Sequence, residues 1–343
     1  TFLYPRQPSP YVAMVEPEEG RCRLADLRTG KDAGAVSAKF EFRGKVAVSA
    51  DGRYLAGENS ADRGKAVSVW SFETGARCAE IDHSSVPFVD HIVFAGPDQL
   101  LVSQNDSEQY RITAWDVKQA KQVWAIAIRK PRNADKVGVE ASPGGKHIAV
   151  LIDRVLHVLE AATGQALGTS LLPVPWDVVT PRCVQCGALR FSPDGSELAA
   201  ACSSHRLLLC WDFGSGELVL SRSFPIEMIA DMDGGRLAWF PDKSGWLLGD
   251  NLVVERKTGA PVWRLDTRLR DPFQVLGLDS VLTVASANKG NEDQIVDVRL
   301  PGDQLTAAVQ AARRAPSENV PPLTKPDLSG MESIPPNPGT DAW

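Results

Sequence analysis

Apolar residues along this chain come in short runs cut by polar turns, and the runs recur in a fixed order. The stretch from Phe191 to Leu218 shows the unit most clearly. One run ends at Phe191, and Ser192-Pro193-Asp194-Gly195 turns the chain. Leu198-Ala199-Ala200 forms a second run and Leu208-Leu209-Cys210-Trp211 a third. Ser215-Gly216 then marks the turn into a fourth, which starts at Leu218. Proline presets φ for the first turn position and glycine accepts positive φ, so each turn has a physical cause. Strands this short, with turn signals roughly every 8–12 residues, predict an all-β protein.

The unit repeats. Thr29-Gly30, Thr74-Gly75, Thr163-Gly164, Ser215-Gly216 and Thr258-Gly259 occupy one slot of it, and Gln119-Ala120 and Pro301-Gly302 fill the two remaining slots. Measured at the second residue of each pair, the steps are 45, 45, 44, 52, 43 and 43 residues. Runs such as Val67-Ser68-Val69-Trp70 and Ile112-Thr113-Ala114-Trp115 precede the marks, and turns such as Ser49-Ala50-Asp51-Gly52 and Ser142-Pro143-Gly144-Gly145 lie further upstream. Four strands in about 40–45 residues is the size of a propeller blade. Seven units predict a seven-bladed β-propeller of four-stranded antiparallel blades over 1–303, with blades near 1–37, 38–82, 83–128, 129–170, 188–223, 224–267 and 268–310. A single blade cannot bury both faces. Seven around an axis bury them and leave only short outer edges.

The turns, with the pairs Trp115-Asp116 and Trp211-Asp212, resemble WD40 repeats. The resemblance covers residues 2–300 and is best over Phe191–Asp212. Only two units keep Trp-Asp and none keeps the family's Gly-His dipeptide, Asp90-His91 being the nearest approach. The resemblance implies a degenerate WD40-like propeller, in which the family's His–Asp–Ser–Trp network is mostly absent. An Arg-to-Lys ratio of 24 to 13 points to a GC-rich, bacterial genome. Val254–Trp263 is also similar to the Thr-Gly…Trp docking motif of quinoprotein dehydrogenase blades, faintly echoed by Trp115…Trp124. The simpler reading is that such an indole fills the gap between adjacent blades.

The first blade is expected to be complete from Thr1–Pro5, with exchange of that segment into the seventh blade as the alternative closure. Gln304–Val309 reads either as a closing strand or as the start of a helix through Arg314. Ala315–Trp343 holds seven prolines in 29 residues and reads as an extended tail. The opening at Thr1 has no signal-peptide features, and we read the chain as part of a longer or processed product.

Charge and chemistry narrow the functional classes. A net charge of −6 over 343 residues argues against general nucleic-acid binding. No run of apolar residues is long enough to span a membrane, and a soluble, cytoplasmic monomer is the expectation. Six cysteines are too few for a disulfide scaffold. A hairpin turn at 203–206 pairs Cys202 with Leu207 and Cys210 with Ala199, so those two thiols point to opposite faces. No nucleophile elbow, phosphate loop, His-Glu-x-x-His or EF-hand loop is present. The reading is therefore of no catalytic residues, no cofactor and no metal.

The 52-residue step carries an insertion, Leu171–Gly187, containing Cys183-x-x-Cys186. Two ordinary thiols are the leading reading there, with a structural disulfide, half a metal site or a redox pair as alternatives. Trp176, Asp177 and Arg182 in this rim insertion are the first candidates for an interaction surface, since Trp and Arg are enriched at binding hot spots. Arg129, Lys130 and Arg132 form a basic rim loop and are the second. Asp82 and Asp90 read as an acidic loop. The function expected is a non-catalytic scaffold that binds another protein or a peptide through a propeller rim. The rival is an enzyme or a cofactor- or metal-binding propeller, quinoprotein-like or built on Cys183 and Cys186. Convergence of carboxylates or histidines at the channel mouth would favour it.

Overall fold

The computed structural model describes residues 2–314 except 8, 17–18, 38–44, 59–65, 83–87, 106–107, 131–136, 174–185, 203–205, 226–236, 250, 266–273, 278 and 287–292. At 2, 88, 186–187, 284–286 and 293–296 it describes the backbone alone. Seven antiparallel sheets follow one another along the chain. Blade 1 holds β1 (Phe2–Leu3), β2 (Tyr11–Glu16), β3 (Arg21–Asp26) and β4 (Lys31–Ser37). Blade 2 holds β5 (Val46–Val48), β6 (Tyr54–Glu58), β7 (Ala66–Ser71) and β8 (Arg77–Asp82). Blade 3 holds β9 (Phe88–Phe94), β10 (Gln99–Asn105), β11 (Gln109–Asp116) and β12 (Lys121–Arg129). Blade 4 holds β13 (Val137–Ala141), β14 (His147–Ile152), β15 (Val155–Glu160) and β16 (Ala166–Leu171). Blade 5 holds β17 (Cys186–Phe191), β18 (Glu197–Cys202), β19 (Leu207–Asp212) and β20 (Leu218–Ser223). Blade 6 holds β21 (Leu237–Trp239), β22 (Gly245–Leu248), β23 (Leu252–Glu255) and β24 (Pro261–Arg264). Blade 7 holds β25 (Gln274–Val275), β26 (Ser280–Ser286) and β27 (Asp293–Arg299). This is a seven-bladed β-propeller.

The first strands of successive blades touch one another, from β1 through β5, β9, β13, β17 and β21 to β25. They therefore surround the axis, and each fourth strand lies outermost. The core is accordingly a set of layers between blades. Trp124, Ile148 and Leu159 belong to the layer of blades 3 and 4, and Phe191, Leu156 and Trp211 to that of blades 4 and 5.

Two turns recur from blade to blade. In the first, Ser192 accepts from Glu197 N–H through Oγ at 2.9 Å and donates to Asp194 Oδ1 at 2.7 Å. Ser49 repeats both bonds with Tyr54 and Asp51, at 2.9 and 2.8 Å. The second turn explains the 45-residue marks. Gly30, Gly75, Gly164, Gly216 and Gly259 each donate to a carbonyl four residues back, at 2.8–3.0 Å. All five have φ between 64° and 72°, the left-handed region that costs a side chain energy. Ala120 fills the third slot with φ 50°.

In the seventh slot the chain enters helix α1 (Gly302–Arg314). Thus the segment that reads as helix or strand is a helix, and blade 7 has three strands among the described residues. Asp303 in its first turn and Arg313 and Arg314 in its last match the helix dipole. Leu305 and Val309 are buried, and α1 packs on β23 and β24. Arg313 Nε donates to Glu255 Oε1 at 2.8 Å. At the other end, Phe2 and Leu3 pair with Met14 and Ala13 inside blade 1. Gln274 of blade 7 donates to the Ser9 carbonyl at 2.9 Å. The described residues include no helix long and apolar enough to cross a membrane.

Candidate functional site

Each outermost strand leaves its neighbour through a bulge, and the residue just after it faces the next blade. Those residues are Gly34, Ala79, Trp124, Gly168, Leu220 and Trp263 in blades 1 to 6. What lies there decides how the wedge between two blades is filled. Between blades 3 and 4 the indole of Trp124 fills it, and its Nε1 donates to the Ala161 carbonyl at 2.8 Å. Trp124 comes so close to the turn at Gly164 that a Cβ there would meet the ring at 2.7 Å. Trp263 packs into the layer of blades 6 and 7, beside Leu265 and Leu305. Both tryptophans thus serve as interblade fillers. Between blades 1 and 2 the sizes are reversed: Gly34 leaves room and Phe72 of blade 2 takes it, 2% exposed.

Between blades 4 and 5 the wedge stays open. Gly168 again leaves room, but the opposing Phe213 turns inward. Its ring lies 5.0 Å from Phe191 and 4.9 Å from His147. The result is a groove of about 440 Å³ lined by Leu156, Leu167, Gly168, Trp211, Phe213 and Gly216. A ligand-sized groove of a few hundred Å³ suits an apolar side chain. Leu167 lines it at 54% exposure, and Leu171, at 57%, ends the same strand. At the far wall Asp212 is held below the usual carboxylate range by the backbone N–H and hydroxyl of Ser215. Strand β16 forms the outer edge of blade 4, and an edge strand offers unpaired backbone groups.

The channel is the second place where functional groups meet. The loop between β1 and β2 reaches across it. Arg6 of blade 1 donates through Nη1 to the Val139 carbonyl of blade 4 at 3.0 Å and to Glu140 Oε2 at 3.5 Å. Blades 1 and 4 are as far apart as a ring of seven allows, so these bonds cross the axis. Arg6 Nη2 lies 3.4 Å from His91 Nδ1, and His91 Nε2 lies 2.6 Å from the Val137 carbonyl. Arg6 can only donate and the carbonyl can only accept, so His91 is neutral with its proton on Nε2. Burial first, and the Arg6 charge second, push its pKa down to about 3. Gln7 Nε2 donates to Ser142 O at 3.2 Å, and Arg190 Nη1 of blade 5 donates to Glu140 Oε2 at 3.1 Å. One carboxylate and one histidine therefore converge here among the described residues, joined by two guanidinium groups.

The sequence candidates fall as follows. Trp176, Asp177, Arg182, Cys183 and Arg132 lie outside the described residues. Arg129 is exposed at the end of β12. Lys130 is tied to its own blade, 3.1 Å from Asn105 Oδ1 and over the Tyr110 ring at 5.4 Å. Cys202 pairs with Leu207, and Ala199 with Cys210, as the hairpin spacing predicts. Cys210, Cys22 and Cys78 are free thiols, whereas Cys202 is disulfide-bonded and its Cα stands opposite that of Cys186. No group of three or more metal-ligating side chains occurs among the described residues. Asp90 lies within β9, not in the acidic loop expected of it, and burial raises its pKa. Sequence reasoning did not find Gly168. The signal was available: it sits four residues beyond the turn mark at Gly164, as Trp124 does beyond Ala120.

No protein-family model matches the chain, and no curated protein matches it in sequence. Among solved structures it is similar to the Myceliophteria thermophila Cps50 (Swd1) β-propeller domain, with a TM-score of 0.55. The identity is 14%, over 86% of this chain and 94% of that one. A likeness at that identity shows the propeller fold.

Proposed function

We propose that this chain is a non-catalytic protein-interaction platform. Its contact surface is centred on the open wedge between blades 4 and 5. The observation that supports this most is the groove of about 440 Å³ at Gly168, beside the exposed Leu167. The ligand class is an extended peptide segment carrying one large apolar side chain. At the junction of blades 3 and 4 the equivalent space accepts an indole, with a carbonyl at hand for its N–H. The edge of β16 supplies backbone partners for such a segment. Trp176, Asp177 and Arg182, which follow β16 in the chain, are further contact candidates in this reading.

The test is a peptide-display selection against the full chain, followed by affinity measurements on Gly168→Trp and Trp176→Ala. Gly168→Trp fills the wedge from within and is expected to weaken selected peptides at least tenfold. Trp176→Ala is expected to weaken them less. Undiminished binding to Gly168→Trp would remove the wedge as the contact surface.

A further inference from the structure

The channel cluster is charged out of balance. Among the described residues Glu140, 3% exposed, is the one carboxylate between Arg6 and Arg190. The charged groups acting on Glu140 are these two arginines, and those acting on His91 are Arg6, Lys45 and Arg190. The histidine is neutral, so it contributes nothing to the balance. Two guanidinium groups sharing one carboxylate leave a surplus positive charge at a partly buried place. Burial and the neighbouring Arg190 charge accordingly lower the pKa of Arg6. A surplus charge that water solvates only in part attracts a counterion.

Both guanidinium groups also keep unused donors. Arg190 donates through Nη1 only, to Glu140 Oε2 and to Leu189 O, so its Nε and Nη2 have no partner among the described residues. Arg6 uses Nη1 and Nη2, and among the described residues its Nε has no partner. Their side chains are 33% and 29% exposed, so solvent reaches both from the channel. Gln7 fixes the loop that carries Arg6 by bonds to the carbonyls of Phe94 and Ser142, at 3.5 and 3.2 Å. The donors are therefore held in place before any ligand arrives. Forked N–H donors of this kind match carboxylate and phosphoryl oxygens.

We propose that the propeller channel contains an oxyanion-binding site, in which Arg6 and Arg190 together take a carboxylate or phosphoryl group. The anion sits beside Glu140 and neutralises the surplus charge. Its source is either a small phosphorylated molecule or free phosphate, or a carboxylate-bearing one. The site is separate from the wedge of blades 4 and 5, and it stands or falls independently of the interaction reading.

The experiment is thermal unfolding and isothermal titration of the full chain at pH 7 with phosphate, with acetate, and with chloride at matched ionic strength. Phosphate or acetate is expected to raise the melting temperature by about 2 °C at ten times its Kd. A response to phosphate alone assigns a phosphoryl ligand, and a response to acetate alone a carboxylate. Arg190→Met leaves a balanced Arg6–Glu140 pair and is expected to weaken the anion at least tenfold, as is Arg6→Met. Glu140→Gln removes the competing carboxylate and is expected to tighten it about tenfold, a gain that misfolding cannot imitate. Absence of any response above chloride in the wild type overturns the proposal. So does an Arg190→Met response equal to that of the wild type, which would place the anion elsewhere.

Discussion

Two neighbouring junctions of this ring share one register and differ in the side chains that meet across them, Trp124 and Ala161 at one, Gly168 and Phe213 at the other. Between blades 3 and 4, Trp124 fills the wedge and bonds across it to Ala161. Between blades 4 and 5, the equivalent position is Gly168, and a groove remains. The register on either side is the same: Trp124 stands opposite Ala114 and Gly168 opposite Val158, each just after the bulge in its strand. The sheets therefore do not need the filler in order to form. What the filler changes is how firmly two blades are joined and whether a surface is left for something else.

The largest loss is expected at the filled wedge. Trp124→Ala should cost about 3–5 kcal/mol, the usual range for truncating a buried aromatic side chain. Equilibrium urea unfolding measures this, and a loss under about 1 kcal/mol would mean that the indole does not seal the junction. Next come the two turn glycines, which share φ +72°. Alanine at Gly216 should cost about 1 kcal/mol, from backbone strain alone, because no atom lies within 4 Å of its Cβ. Alanine at Gly164 should cost about 1–3 kcal/mol more, because its Cβ meets the Trp124 ring at 2.7 Å. Equal losses at the two sites would erase the distinction between a filled and an open wedge.

Filling the open wedge should work in the other direction. Gly168→Trp is expected to raise stability by about 1 kcal/mol, as cavity-filling changes commonly do. A loss would show that blade 5 does not present the shape that blade 4 presents to Trp124. The smallest effect belongs to the turn that lacks glycine. Ala120 holds φ 50°, so Ala120→Gly should gain about 1 kcal/mol or less, visible as a small rise in melting temperature.

Much of the fold was legible because its causes are local. The Ser-x-Asp-Gly turns and the glycine marks announce positive φ and side-chain caps within five residues of chain. The Cys202–Leu207 pairing followed from a hairpin count alone. The indoles of Trp124 and Trp263 were legible as interblade fillers from their size and spacing. Less could be read where local signals were ambiguous. Residues 304–309 suit a strand or a helix, and their packing of Leu305 and Val309 on blade 6 decided for the helix. His91 drew notice only beside Asp90, as an imperfect Gly-His pair, although it is a partner of Arg6 in the channel.

The number of blades, their turns and the alternation that buries their faces are written along the chain, since each rests on φ preferences and on a two-residue period. Which wedge stays open and which charges meet on the axis depend on how distant strands come together. Gly168 means nothing until blade 5 presents Phe213 turned away from it. Arg6 meets Glu140 across 134 residues of chain only because the ring sets blade 1 opposite blade 4. Both are properties of surfaces brought together by closure of the ring, and no local stretch of chain contains them.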